Sequence, residues 1–115
     1  MADALKDLSA YESSFLAIDP IQYDREVRCP ALIIQGGADA TVPVRSAERI
    51  ASAMRAAGNL DVTVRIFPGV SHSLLPDPNG LGSGWASLPS FLTAPEVLDE
   101  VTRWSVSRFV TMNKK

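Results

Sequence analysis

One cysteine and one histidine in 115 residues leave little room for metal or disulfide chemistry. Cys29 has no partner within the chain for a disulfide, and with His72 alone beside it the Cys/His clusters of a zinc fold are missing. No metal or other cofactor is therefore expected. No apolar run approaches the roughly 18 to 20 residues that cross a bilayer, and Asp3 and Asp7 interrupt the N-terminus where a signal peptide would be apolar. The expectation is a soluble, cytoplasmic chain with no membrane partner. An excess of either charge is also missing. Eleven basic residues against thirteen acidic give a net charge of −2 without charge blocks, so there is no electrostatic footprint for nucleic acid. Internal repeats and low-complexity tracts are absent as well.

What remains is globular. With 46% hydrophobic and 21% charged residues the composition is not that of a disordered tail. Against a usual domain of roughly 150 residues the length allows one domain, residues 1–115, and no second. Ala4, Leu5, Leu8, Tyr11 and Phe15 recur at helical spacing and predict an N-terminal helix over 3–17, stopped at Asp19-Pro20 because the residue before proline is driven out of the helical region. After a polar stretch from Ile21 to Arg28, the apolar run from Cys29 to Gln35 ends at Gly36-Gly37 and reads as a strand buried on both faces. Val44, Ala47, Ile50, Ala51 and Met54 predict a helix over 44–57, with Pro43 in its first turn and Gly58 as a left-handed cap. Val62 to Phe67, rich in β-branched residues and closed by Pro68-Gly69, reads as a second strand. Strand, helix, strand over 30–67 makes a βαβ unit, hence a parallel pair and an α/β fold: a small parallel sheet with flanking helices.

Prolines and glycines (Pro76, Pro78, Gly80, Gly82, Gly84, Pro89) punctuate 76–94 and predict a long irregular excursion. Thr93-Ala94-Pro95-Glu96 then reads as a capping box ahead of a C-terminal helix over 95–111, whose apolar positions are Val97, Leu98, Val101, Trp104 and Phe109. Trp85 and Trp104 are taken as packing residues. Cys29, at a strand start, is taken as a small buried hydrophobe.

Two polar residues follow the two strands at the edge where open α/β sheets place their sites. Asp39 follows the first strand through Gly36-Gly37-Ala38, and His72 follows the second through Pro68-Gly69-Val70-Ser71. In neighbouring parallel strands these loops emerge side by side. On residue type alone, a carboxylate after Gly-Gly is a turn former and a lone loop histidine a surface residue. Their combination is more specific. The stretch from Cys29 through Asp39 to Val42-Pro43 resembles the penultimate strand and acid loop of an α/β-hydrolase, and Phe67-Pro68-Gly69-Val70-Ser71-His72 resembles its last strand and histidine loop. The likeness covers about residues 18–110 and lies nearest the branch of prolyl-oligopeptidase-like peptidases and dienelactone-hydrolase-like esterases. It implies a catalytic arrangement in chain order nucleophile, acid, histidine. Asp39 would orient and support His72, which would act as general base and then general acid, an imidazole having its pKa near neutrality.

The nucleophile is missing from the pattern. Gly-x-Ser-x-Gly does not occur, and residues 1–28 offer no strand to lead into a nucleophile elbow. Gly82-Ser83-Gly84 has the wrong spacing and lies after the histidine. Ser13 and Ser14 fall in a helix, and Ser71 and Ser73 stand too near His72 in sequence to aim a hydroxyl at its ring. The resemblance thus implies a partial hydrolase that is inactive as an isolated chain. The alternatives are a non-catalytic module that assembles with itself, or half of a split enzyme completed by a nucleophile-bearing chain. Either partner would pair with the strand edge Ala31–Ile34, which has no lysine or proline to discourage a second chain.

Overall fold

A computed structural model describes residues 9–82, 84–88 and 92–113 of the chain. Its elements run α1 (Ala10–Leu16), α2 (Pro20–Asp24), β1 (Ala31–Gly36), α3 (Arg45–Ala56), β2 (Val62–Phe67), a single 3₁₀ turn (Trp85–Ser87) and α4 (Pro95–Asn113). The fold is α/β. β1 and β2 form a parallel two-stranded sheet in a register that pairs Ala31 with Val62 and Gly36 with Phe67.

Period-two alternation divides the sheet between two helices. Ala31, Ile33, Val62 and Val64 pack with Ala51 and Met54 of α3. On the opposite face Ile34 and Phe67 join Val70, Leu74, and Ala94 and Val97 at the start of α4. The strand β1 is nonetheless only half-buried from Ala31 to Ile34, short of the expected two-sided burial, because its outer edge has no neighbouring strand among the described residues and the second cluster covers only the carboxyl end of the sheet. α3 ends in a left-handed Gly58, φ +101°, as its sequence signals require.

Several expectations give way. Ser9 and Glu12 form a reciprocal capping box, with Glu12 Oε2 accepting from Ser9 N–H at 2.9 Å and Ser9 Oγ from Glu12 N–H at 3.2 Å, so the described helix begins at Ala10. Residues 3–8 of the expected helix lie outside the described residues, and Tyr11, assigned to its apolar face, is 78% exposed. Asp19-Pro20 starts a helix as well as stopping one. Asp19 caps α2 by accepting Ile21 N–H at 3.1 Å, and Pro20 occupies the first turn, where its missing N–H costs nothing. Cys29 is exposed, because the chain has not yet entered the sheet there and its carbonyl is held from the side by Asn59 Nδ2 at 2.9 Å.

α4 departs furthest from its expected face. Leu98 N–H bonds the Ala94 carbonyl, which makes Ala94 the capping position and puts Thr93 one residue too early for the box. Of the five apolar positions, Val97 is buried and Trp104 half-buried, while Leu98, Val101 and Phe109 are exposed. The helix instead turns polar side chains to the sheet. Arg108 Nε donates to Asp61 Oδ2 at 3.0 Å, Trp104 Nε1 to Thr63 Oγ1 at 3.3 Å, and Arg65 Nε to Glu100 Oε1 at 3.1 Å. Arg103 also bonds Glu100, and the Arg108 guanidinium lies 5.0 Å above the Trp104 ring. Thr63 and Arg65 share one face of β2 and Asp61 stands just before it, while 108, 104 and 100 share one stripe of α4, so the contacts form three rungs.

Candidate active site

The site is built where the two strands end. Gly37 N–H donates to the Phe67 carbonyl at 2.7 Å and Ala38 N–H to the Val70 carbonyl at 3.0 Å, which lashes the loop after β1 to the loop after β2. Their closeness requires glycine. A Cβ on Gly36 would stand 2.3 Å from the Val70 carbonyl oxygen and 2.4 Å from that of Ser71.

Within this junction His72 Nδ1 lies 2.9 Å from Asp39 Oδ2, so the two residues singled out from the sequence meet across 33 positions of chain. Asp39 is the more enclosed partner, its side chain 4% exposed against 52% for His72. Three further donors hold it: Gln35 Nε2 on Oδ2 at 2.8 Å, and the N–H groups of Thr41 and Val42 on Oδ1, each at 2.8 Å. Gln35 is itself buried and also donates to the Val42 carbonyl at 3.2 Å, tying the end of β1 to the loop that carries the acid. Desolvation pushes the Asp39 carboxyl up, but the bonds from Val42, His72 and Thr41 and the charge of a protonated His72 outweigh it and hold the acid below its ordinary range.

An ionised carboxylate only accepts hydrogen bonds. The proton shared with Asp39 therefore resides on Nδ1 of the neutral imidazole, and the lone pair on Nε2, the arrangement a general base requires.

A third segment completes the surroundings. The buried Asp77 accepts Gly80 N–H on Oδ1 at 3.1 Å and Gly82 N–H on Oδ2 at 2.6 Å, curling 77–82 into a tight loop. Gly80, at φ +68°, then lies so close to the acid loop that a Cβ on it would be 1.6 Å from the Ala38 carbonyl oxygen. Between this loop and the histidine loop is a cleft of about 180 Å³ lined by Thr41, Ser71, His72, Ser73, Leu81 and Trp85, among others. A larger cleft, about 270 Å³ between α2 and α3, is lined by Asp19, Asp24, Arg49 and Ile50 and does not contain the pair. Among the described residues no group of three or more His, Cys, Asp or Glu could hold a metal ion, and no helix is long and apolar enough to cross a membrane.

Gln35 and Asp77 were not singled out from the sequence. Gln35 carries a faint signal, a lone amide ending an apolar strand. Cys29 is no substitute nucleophile: at about 3.3 Å per residue the six-residue β1 separates it by roughly 20 Å from the pair.

An acid and a histidine joined after consecutive parallel strands, with Gly-Gly before the acid, agree with the comparison of sequences. Residues 8–87, well over half of the chain, match the dienelactone hydrolase family, an α/β-hydrolase fold. The chain belongs to the dienelactone hydrolase family. No curated protein and no solved structure matches. The dienelactone hydrolase match spans α1 to the 3₁₀ turn, takes in both loops of the pair, and stops before α4. The likeness expected from the sequence began later, near residue 18, and extended to about residue 110, within α4.

Proposed function

We propose that these 115 residues are the acid and base half of a hydrolase site, with Asp39 as the orienting acid and His72 as the proton carrier, and that they are catalytically silent until a nucleophile is supplied from outside them. The observation that carries the reading is the Nδ1 to Asp39 bond, which sets the tautomer a general base needs. Membership of a hydrolase family supports the reaction class. The absence of a Gly-x-Ser-x-Gly elbow from the sequence supports the silence.

The nucleophile would come from a second polypeptide segment that adds a strand to β1. That edge is open among the described residues, since the sheet has the order β1-β2, and it carries the half-buried run Ala31–Ile34. A second copy of the chain could add there as well, giving a homo-oligomer.

Two measurements test the proposal. Incubation of the purified chain with p-nitrophenyl acetate and with a fluorophosphonate probe should give no turnover above background and no label. Stoichiometric labelling abolished by His72→Ala would overturn the silence. A low-field Nδ1–H proton resonance, present in the native chain and lost in Asp39→Asn, is expected from the pair. Its absence in the native chain would overturn the assignment of base and acid.

A further inference from the structure

Eight arginines are spread over the chain, and the side chains of five have partners. Arg28 donates to the carbonyls of Arg25 and Ala57, Arg55 to that of Val62, and Arg65, Arg103 and Arg108 to Glu100 or Asp61. The side chains of Arg25, Arg45 and Arg49 have no hydrogen bond or ion pair among the described residues. All three line one cleft of about 500 Å³ between α2 and α3. Glu48 is the single carboxylate there, and its Oε2 lies 3.6 Å from Arg55.

This arrangement works against the helix that carries it. Arg45 is the first residue of α3, where the helix dipole disfavours a cation, and Val44 before it makes no side-chain cap. Arg49 follows one turn later, and like charges four residues apart repel. Glu48, the acid of that first turn, is drawn to Arg55 instead. A guanidinium does not shed its proton, so the repulsion cannot be relieved by titration. Local rules broken twice at one place, with no compensating contact in the fold, mark a position kept for function.

The chemistry of the partner follows. Three fixed positive charges beside the positive end of α3 call for a group with more than one negative charge, and guanidinium forks match phosphate oxygens. Arg49 also borders the smaller cleft of Asp19 and Asp24 without bonding either, which leaves its fork available. The volume falls within the roughly 300 to 1,000 Å³ of small-molecule sites. Nucleic acid and anionic membranes are disfavoured by the net charge of −2 and the lack of a basic run. Ile21, Ala53 and Ala56 complete the lining with apolar surface on which an organic body can rest.

We propose that Arg25, Arg45 and Arg49 form a binding site for the phosphate monoester dianion of a small organic molecule, with its organic part against Ile21, Ala53 and Ala56. No residue lines both this cleft and that of His72, and the proposal does not depend on the role of His72.

The test is calorimetric titration of the full chain with phenyl phosphate at about pH 8, above the second phosphate pKa of about 6. Saturable binding is expected, weaker at pH 5, where the dianion has gained a proton. Arg45→Gln/Arg49→Gln should lower the affinity about tenfold or more, since each lost bond is charge-assisted. Its melting temperature should not fall, because glutamine suits a helix and the repulsion is gone. Should that variant misfold, Arg25→Gln, outside α3, repeats the test and should also weaken binding. Arg103→Gln, in the cleft between β2 and α4, and His72→Ala should bind as the native chain does. Absence of binding would overturn the proposal, as would unchanged affinity in the arginine variants or an equal loss in Arg103→Gln. Inorganic phosphate or phthalate binding as tightly as phenyl phosphate would overturn the monoester assignment. Binding to phosphatidylserine vesicles without binding of phenyl phosphate would overturn it in favour of a membrane surface.

Discussion

Four donors converge on the carboxylate of Asp39, and this convergence decides how the site responds to substitution and to acid. Asp39→Asn keeps the shape but offers one acceptor oxygen and an NH₂ group that opposes the donors facing it. A loss on the order of 1–3 kcal/mol is expected, measured by chemical denaturation at pH 7. The pH dependence has a definite sign. Because the folded state holds Asp39 below the ordinary 3.8, its contribution is complete above that value and is lost as the pH falls through the lower folded value. The acid limb of a stability curve below about pH 4 should therefore be shallower in Asp39→Asn than in the native chain. Asp39 and His72 were legible in the sequence because each stands a fixed few residues beyond a recognisable strand. Gln35 and Asp77 were not, since their importance arises from what a folded loop brings to them: the carboxylate of Asp39 in one case, the N–H groups of Gly80 and Gly82 in the other. Cys29 was misread because residue type was allowed to stand for burial at a position just outside the sheet.

Among the elements, α3 and the two strands were readable because their periodicity is unambiguous and their ends carry breakers. Met54, on the buried face of α3, packs with Ala51 and Val62. Met54→Asp places a carboxylate among apolar side chains and should cost about 3 kcal/mol or more, visible as a large fall in melting temperature. α2 escaped notice because five residues are too few to show a period and because Asp19-Pro20 carries a stop and a start signal together. α4 was correctly located but wrongly oriented: apolar spacing predicted which side would be covered, and the ion pairs of Glu100 and Arg108 with the sheet won that side. The Arg108–Asp61 pair is partly open to solvent on both sides, so it is worth about 1 kcal/mol or less and is screened by salt, whereas the Glu100 carboxylate is buried. Asp61→Asn should lower the melting temperature modestly in 0.05 M NaCl, and the difference from the native chain should shrink in 1 M NaCl. An undiminished difference would mean that packing, not charge, holds the helix.

The molecule as a whole has a sheet of two strands, fewer than usually stand alone, whose β1 edge is open among the described residues. Adding a strand to it requires the edge to stay apolar. Leu32 is the position to change, because Ile33 packs towards α3 and its replacement would disturb the core. If copies of the chain pair through this edge, Leu32→Lys should yield a smaller species in sedimentation velocity at micromolar concentration, with unchanged helical circular dichroism. The α/β character and the parallel pairing were legible because a helix between two strands leaves few other topologies. How α4 would seat was not, because it depends on a match between two lengths. Two residues of strand rise about 6.6 Å, and four residues of helix about 6.0 Å. The rungs at 61/108, 63/104 and 65/100 therefore drift apart by only about 0.6 Å each, while the helical stripe turns about 40° per step. Like two rulers of slightly different pitch, the pair agrees over a short span and then loses registration. A fourth rung would set Phe67 against Glu96, and there the polar ladder stops and the apolar cluster of Phe67, Val70 and Val97 begins. The helix thus has a single seating. A shift by one residue would misalign all three rungs at once, so an insertion or deletion between Pro95 and Glu100 should unseat the whole of α4 rather than slide it.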